Sequence, residues 1–411
     1  MSDGRPIASA PGAYGLLDLL RWGSACLVAV GHVRNLLFLD YPDVLHANPA
    51  IKVFYALTGL GHEAVIAFFV ISGYLVGGGL TARGATRASL HDYFIHRFSR
   101  IYIVLIPALA VTAMLDSLGT VAQASLYREA GWASALDFSA AEHANAMILA
   151  CNVINLQDAF CPSFGSNAPL WSLAYEWFYY LTFPFLVALG ANFQAQRLGA
   201  RAIAITALTI LSLAWLLPNF VAYYPIWLMG VAARAIALRG LFSIRWAQAA
   251  LALLPIMVGI ARLHAYPTVV TDFAIGAALT LLLSNVRILS GPRLLSTFSS
   301  TFAGFSYSLY VVHFPLLVFM VAVLTGSGMM RGRLSPSLQA FALLFGCLLF
   351  VYGFAWMFSL TTERQTEKLR RLLLASPVIR VRLDFAIRVA FRALLPRDAE
   401  RRPRLQGNEH L

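Results

Sequence analysis

Residues 16–39, LLDLLRWGSACLVAVGHVRNLLFL, decide the fold. The stretch has the length of about 20 mostly apolar residues that a helix needs to cross a bilayer. Within it stand Arg21 and His32. An arginine near the bilayer centre costs about 2.5–3.5 kcal/mol on insertion scales, so a spanning reading must find these residues a use. Arg21 and His32 are eleven positions apart. At about 100° and 1.5 Å per residue they project from one helix face, roughly 16 Å apart along the axis. Asp18 lies one turn before Arg21 and is placed to partner its guanidinium. Ionisable residues that face the interior of a membrane bundle are by default a functional expectation.

The rest of the 411-residue chain agrees with a membrane setting. Hydrophobic residues make up 59% and charged residues 12%, where a soluble domain is about a quarter charged. Mean hydropathy is +0.70. Ten runs have spanning length: 16–39, 57–81, 95–115, 169–190, 202–218, 220–238, 246–263, 268–286, 302–325 and 337–360. They predict an all-α integral membrane protein, a bundle of about ten transmembrane helices with no soluble domain. The expected division is a transmembrane domain over 14–361 and a basic tail over 362–411. The shorter run 144–157 ends in NVINLQD and reads as partly inserted or covered by protein. The opening MSDGRPIASAPGAYG lacks a basic region followed by an apolar core, so the first run is expected to stay as a helix.

The net charge of +12 is not read as a nucleic-acid signal, because the arginines sit in short connectors and the tail. Arg83, Arg87, Arg97 and Arg100, then Arg197 and Arg201, Arg239 and Arg245, Arg287 and Arg293 alternate with sparser loops. The bias of positive charge to the inner side places both termini in the cytoplasm. The longest outer loop, about 116–168, holds Cys151 and Cys161. An oxidising compartment would permit a disulfide between them; the alternative is two independent thiols. Cys26 and Cys347 read as core filler. No cysteine spacing suits zinc or iron–sulfur, and no metal is expected. The tail, with leucines and arginines at helical spacing, suits an amphipathic helix on an anionic leaflet or a partly disordered segment.

Four further stretches place polar groups inside apolar runs. FFVISGYL puts Ser72 and Gly73 mid-helix, where small residues let a helix or ligand approach the backbone. No general base adjoins Ser72, and Gly77–Gly79 read as loosening a helix end. HDYFIHRFSRIY sets Arg97 and Arg100 three apart on one face, suited to bidentate phosphate binding or to plain membrane anchoring. NAPLWSLAYEWFYYLTFP carries Ser172, Glu176 and Tyr179 as a polar stripe, with Trp171 and Tyr175 able to stack on a sugar or to serve structurally. YSLYVVHFPLL aligns Tyr307, Tyr310 and His313, with Pro315 expected to kink the helix.

Together and in this order, these segments resemble the acyltransferase-3 family, bacterial integral-membrane O-acyltransferases of glycans. LLDLLRWGSACLVAVGH is similar to its Arg-x10-His motif, FFVISGYL to Phe-Phe-x-x-Ser-Gly-x-Leu, and RFSRIY to Arg-x-x-Arg. PLWSLAYEWFYYLTFP and YSLYVVHFPLL resemble its later signatures. The resemblance covers about residues 14–361. It departs at Ile66, where the family often has an acid (Glu63 lies one turn upstream), and at Ile103, where proline is common. The resemblance implies transfer of an acyl group, usually acetyl, from cytosolic acyl-CoA as co-substrate to a hydroxyl of an extracytoplasmic or lipid-linked glycan, at the bacterial inner membrane. Arg97 and Arg100, with Ser72 and Gly73, would hold the donor, and Arg21 its thioester end. His32, an imidazole with an unperturbed pKa of about 6.5, would act as general base or carry the acyl group. Glu176 would orient the histidine or the acceptor. A multi-span transporter or flippase of a glycolipid or small solute is the second class; it would show internal repeats with matching broken helices, and the sequence has neither, while a membrane sensor or scaffold, the third, would need no access to both faces.

Overall fold

The computed structural model describes residues 11–45, 48–194, 208, 211–212, 217–240, 243–262, 267–286, 293–391 and 394. These form a helical bundle; among them there are no strands, only isolated bridges such as Phe38 with Leu334. The helices are α1 Pro11–Leu37, α2 Pro49–Thr58, α3 Gly61–Ser72, α4 Gly78–Arg83, α5 Arg87–Ala122, α6 Ala124–Arg128, α7 Ala146–Val153 and α8 Trp171–Gln194. After these come α9 Pro218–Arg239, α10 Ile244–Arg262, α11 Thr268–Ser284, α12 Arg293–Ala303, α13 Ser306–Gly326, α14 Leu338–Thr361, α15 Thr366–Ala375 and α16 Pro377–Ala390. Nine of the ten expected runs are helices. The tenth, 202–218, lies almost wholly outside the described residues, as do Arg197, Arg201, Arg287 and the tail beyond 394.

Among the described residues, seven helical stretches are long and apolar enough to cross a membrane: Gly15–Leu37, Pro49–Arg83, Arg87–Ala122, Pro218–Arg239, Ile244–Arg262, Ser306–Gly326 and Leu338–Ala375. α11 is apolar but shorter. α8, at 24 residues, has the length but is not among the seven, and it carries Glu176 with two tryptophans and three tyrosines. The bundle turns apolar groups outward: Ile106, Met114, Leu118, Leu253, Ile256, Phe345, Leu349 and Met357 are exposed. It turns polar groups inward: Asn152, Asn167, Ser99, Thr112, Ser308 and His313 are buried. Exposed apolar surface on this scale is a liability in water and the expected outer face in lipid.

Caps set the helix ends. Thr86 and Ser89 exchange side-chain and backbone hydrogen bonds at the start of α5, and Ser337 caps α14, supplying acceptors to otherwise orphaned N–H groups. Between α3 and α4 the backbone runs through one wide π turn, Gly73–Gly77, before continuing to Arg83. The loosening expected at Gly77–Gly79 therefore sits earlier, within the helix rather than at its end. The reason is packing. A Cβ at Gly73 would collide with the backbone of Trp227, and one at Gly230 with the carbonyl of Val70. Gly77 and Gly78 likewise face Trp227 and Arg234. The glycines let α9 lie directly on the π turn. Gly230→Val should therefore destabilise the fold by at least the roughly 1–3 kcal/mol of overpacking, read as a lower melting temperature in detergent. An unchanged melting temperature would sink the close-packing account.

The segment after α5 closes one end of the bundle. α7, at eight residues, is too short to span. Cys151 and Cys161 are joined in a disulfide across a separation of 10. Asn35, near the end of α1, binds Ser134 through its amide N and the Ala135 N–H through its Oδ1. Trp132 donates to the Leu36 carbonyl. Asp116 accepts from the backbone N–H and hydroxyl of Ser166 at 2.7 and 2.6 Å. Pro315 sits inside α13 and cannot donate to the carbonyl four residues back, Val311. Asn167 does so instead, its Nδ2 donating to the Val311 oxygen at 2.9 Å. At the other end, Glu363 accepts from the Ser308 N–H and hydroxyl, both 3.0 Å. The first part of the tail thus returns to the bundle as α15 and α16: Arg87 pairs with Asp384 at 2.8 Å, and Phe391 stacks on Phe185.

Candidate active site

A cavity of about 280 Å³ opens at the end of the bundle where α1 and α5 begin. Five helices supply its polar lining: Arg21 from α1, Ser72 from α3, Arg97 and Arg100 from α5, Ser172, Glu176 and Tyr180 from α8, and Ser306, Tyr307 and Tyr310 from α13. Phe68, Phe69, Ile71, Leu75, Val76, Ile101 and Leu173 form the apolar remainder. Three guanidiniums face one carboxylate inside the wall. Arg21 reaches Asp18 and the Ala303 carbonyl, each at 3.5 Å. Arg100 pairs with Glu363 at 3.6 Å and lies over the Tyr307 ring. Arg97 lies over the Tyr180 ring at 5.7 Å, and its Nε is buried without a hydrogen-bond partner. A guanidinium whose Nε is left open among the described residues suits an anionic ligand that can be held bidentately.

The carboxylate is wired in. Trp227 donates its indole N–H to Ser72 Oγ at 3.0 Å, Ser72 and Tyr180 hydroxyls meet at 2.9 Å, and Tyr180 donates to Glu176 at 3.0 Å. Because the single Tyr180 hydrogen goes to the carboxylate, Ser72 must donate to the Tyr180 oxygen while accepting from the indole, so the chain runs one way, from Trp227 through Ser72 and Tyr180 to Glu176. The Ser72 hydroxyl is committed to that chain, beside the Glu176 carboxylate. Opposite, the hydroxyls of Ser172 and Tyr310 meet at 2.6 Å, and Tyr310 also reaches the Pro169 carbonyl.

His32 stands eleven residues along α1 from Arg21. Its Nδ1 lies 3.1 Å from Nε2 of His313 on α13, the rings are inclined by 25°, and Phe314 packs edge-on against it. His313 is fully packed, with Nδ1 at 2.7 Å from the Tyr310 carbonyl and 3.2 Å from that of Leu309. The cavity wall at Tyr310 is thus one turn from the histidine pair.

The structure therefore gathers Arg21, Ser72, Arg97, Arg100, Glu176 and Tyr310 on one cavity and sets His32 against His313. It corrects three expectations. The partner of His32 is His313 rather than Glu176, whose carboxylate is taken by Tyr180. Gly73 is turned to the backbone of Trp227, not to the cavity, because α9 needs that approach. Tyr179 is buried among aromatics and donates to the Phe220 carbonyl; on α8 the cavity face is Ser172, Glu176 and Tyr180. Tyr175 is buried too, stacked on Phe220 with its hydroxyl donating to Asp158 at 2.6 Å. Trp171 packs against Phe69 and Tyr175 and does not line the cavity. Tyr180 is a residue the sequence reading missed, although its spacing of four from Glu176 carries the signal. Glu363 stands in the tail, and nothing local in the sequence marks it as a partner of Arg100. Among the described residues no cluster of histidines, cysteines and acids could hold a metal ion.

A family model described as an acyltransferase domain matches residues 14–356, nearly the whole chain. The chain belongs to the acyltransferase-3 family. No curated protein and no solved structure matches it. The apolar helices and the family together make it a multi-pass membrane acyltransferase. The cavity and the histidine pair of this acyltransferase both lie within the matched residues, except for Glu363, which follows them.

Proposed function

We propose that this acyltransferase moves an acyl group, acetyl in the simplest case, from cytosolic acyl-CoA to a hydroxyl of an extracytoplasmic or lipid-linked glycan. The observation that carries this is the cavity with three guanidiniums and a single lining carboxylate, one turn from the pair of half-buried His32 and buried His313. Arg97 and Arg100 suit the phosphates of the CoA moiety, and Arg21 the thioester end. His32 takes the proton of the acceptor hydroxyl as its oxygen bonds to the thioester carbon and the C–S bond breaks. The CoA thiolate leaves and recovers that proton. Glu176 and its hydroxyl chain hold the cavity wall and the Arg97–Tyr180 contact. Trp171 and Tyr175 are structural in this scheme.

The orientation is part of the proposal. The basic end of the bundle, with Arg97, Arg100 and the returning tail, faces the cytoplasm. The disulfide Cys151–Cys161 lies in the segment that follows the far end of α5, which suits the oxidising side of a bacterial inner membrane.

Mass spectrometry of surface glycans from wild-type and deletion strains tests the reading. The deletion should remove an acyl mass from one glycan, and purified protein given isotopically labelled acetyl-CoA should release free CoA only when that glycan is present. Identical glycans in the two strains, with no CoA release, would overturn it.

A further inference from the structure

We infer that His313 is a positioning residue that fixes the tautomer of His32, so that Nε2 of His32 is the atom that takes the proton. The inference rests on the reading of His32 as the base. It begins at the backbone of α13. Nδ1 of His313 lies 2.7 Å from the Tyr310 carbonyl oxygen and 3.2 Å from that of Leu309. Carbonyl oxygens only accept, so this nitrogen must carry the hydrogen. An imidazole with its hydrogen on Nδ1 has a bare lone pair on Nε2. That lone pair meets Nδ1 of His32 at 3.1 Å.

Two lone pairs do not approach so closely inside a packed core, so Nδ1 of His32 must be the donor. Its hydrogen is spent on His313, and Nε2 of His32 is left with the lone pair. Among the described residues Nε2 has no protein hydrogen-bond partner. The opposite arrangement, with Nε2 of His313 donating, would need either an Nδ1 lone pair against two carbonyls or a doubly protonated His313. The second is a buried cation with no carboxylate in hydrogen-bond contact, which costs several kcal/mol. The tautomer of the base is thus dictated by two backbone carbonyls, relayed through one ring.

The positions are held from outside. His313 is 1% exposed. The carbonyl that Pro315 leaves free at Val311 is satisfied by Asn167, so it does not compete for the histidine. Phe314 lies against the His32 ring at 4.8 Å between centroids. In other enzymes a carboxylate holds a catalytic histidine in its working tautomer and stabilises the imidazolium. Here a neutral imidazole does the first of these tasks. In the step itself the acceptor O–H bond breaks and its proton joins Nε2 of His32. The oxygen–carbon bond forms, the C–S bond breaks, and the proton passes to the departing thiolate. The hydrogen on Nδ1 of His32 stays on the bond to His313 throughout.

His313→Gln and His313→Met separate this role from packing. Glutamine offers a carbonyl oxygen where Nε2 stood, and methionine fills similar volume without an acceptor. His313→Met should lower kcat about a hundredfold with KM for acyl-CoA and acceptor within about twofold, the range expected when a base loses its orientation. His313→Gln should recover most of that loss. Equal kcat in the two variants, whether near wild type or equally reduced, overturns the assignment.

Solid-state NMR of wild-type protein labelled with 15N-histidine, in lipid, supplies the second measurement and needs neither variant to fold. The signals absent from His32→Ala identify His32. A protonated Nδ1 and bare Nε2 support the relay, and the reverse overturns it. Wild-type protein that transfers no acyl group from acyl-CoA would instead defeat the reading of His32 as base, whatever the tautomer.

Discussion

His32→Ala should leave about one thousandth of wild-type acyl transfer, the middle of the roughly 10²–10⁴-fold contribution of a positioned base. The protein should still reach the membrane at the normal level. Among the described residues the side chain's hydrogen bond goes only to His313, and its ring packs edge-on against Phe314 and at 25° to His313. Truncation therefore removes the proton acceptor and leaves a gap of one ring, with the Nε2 lone pair of His313 unsatisfied. A cost of about 1–3 kcal/mol for that orphan lowers the melting temperature without unfolding the bundle. Acyl transfer is read as labelled acetate incorporated into the glycan, and amount by immunoblot of membranes. Normal incorporation at normal protein level would remove His32 from the chemistry.

Arg97→Ala should weaken acyl-CoA binding by about ten- to a hundredfold, and adding Arg100→Ala should weaken it further. Hydrogen bonds to charged groups contribute about 1.5–3 kcal/mol each, which is that range. The two single variants differ in what they disturb. Arg97 has no carboxylate partner among the described residues and rests on the Tyr180 ring, so its loss acts on the ligand and little else. Arg100 pairs with Glu363, which is buried and holds Ser308. Its removal leaves that carboxylate without its cation and should also lower stability. Arg97→Ala is therefore the cleaner test. Isothermal titration of detergent-solubilised protein with a non-hydrolysable acyl-CoA gives the affinity. Wild-type affinity in Arg97→Ala would take this arginine out of the donor site.

The length and apolarity of the runs carried most of the architecture, because lipid imposes both on every crossing element. Nine of the ten runs are helices for that reason. The arginines and Glu176 were legible because a charged group in an apolar run is costly and so stands out. Contacts between elements distant in sequence were not. Nothing near His32 announces His313, 281 residues away, and the local stripe from Ser172 through Glu176 pointed to Tyr179. The true third member is Tyr180: the cavity lies on the Glu176 side of the stripe, where Tyr180 stands roughly 40° beyond Glu176, while Tyr179 falls roughly 20° to the other side of Ser172. Gly73 was legible as a small residue but not as one given over to helix packing. That assignment requires Gly230, which approaches the same π turn from another helix.

The hydrogen bond from Asn167 to Val311 bears on which parts of this chain can be exchanged. Asn167 sits in the segment between α7 and α8, and Val311 lies two residues before His313 on α13. The proline in α13 is tolerated because an amide from another part of the sequence completes its backbone. Thr112 on α5 accepts from the same amide group at 3.1 Å. The loop is consequently not a detachable cover. A chimera that grafts a foreign loop between α5 and α8 must bring an amide to this position, or its α13 is left with an open carbonyl one half-turn from the histidine. Shortening the loop for expression or crystallisation meets the same boundary, at Asn167 rather than at the visible start of α8.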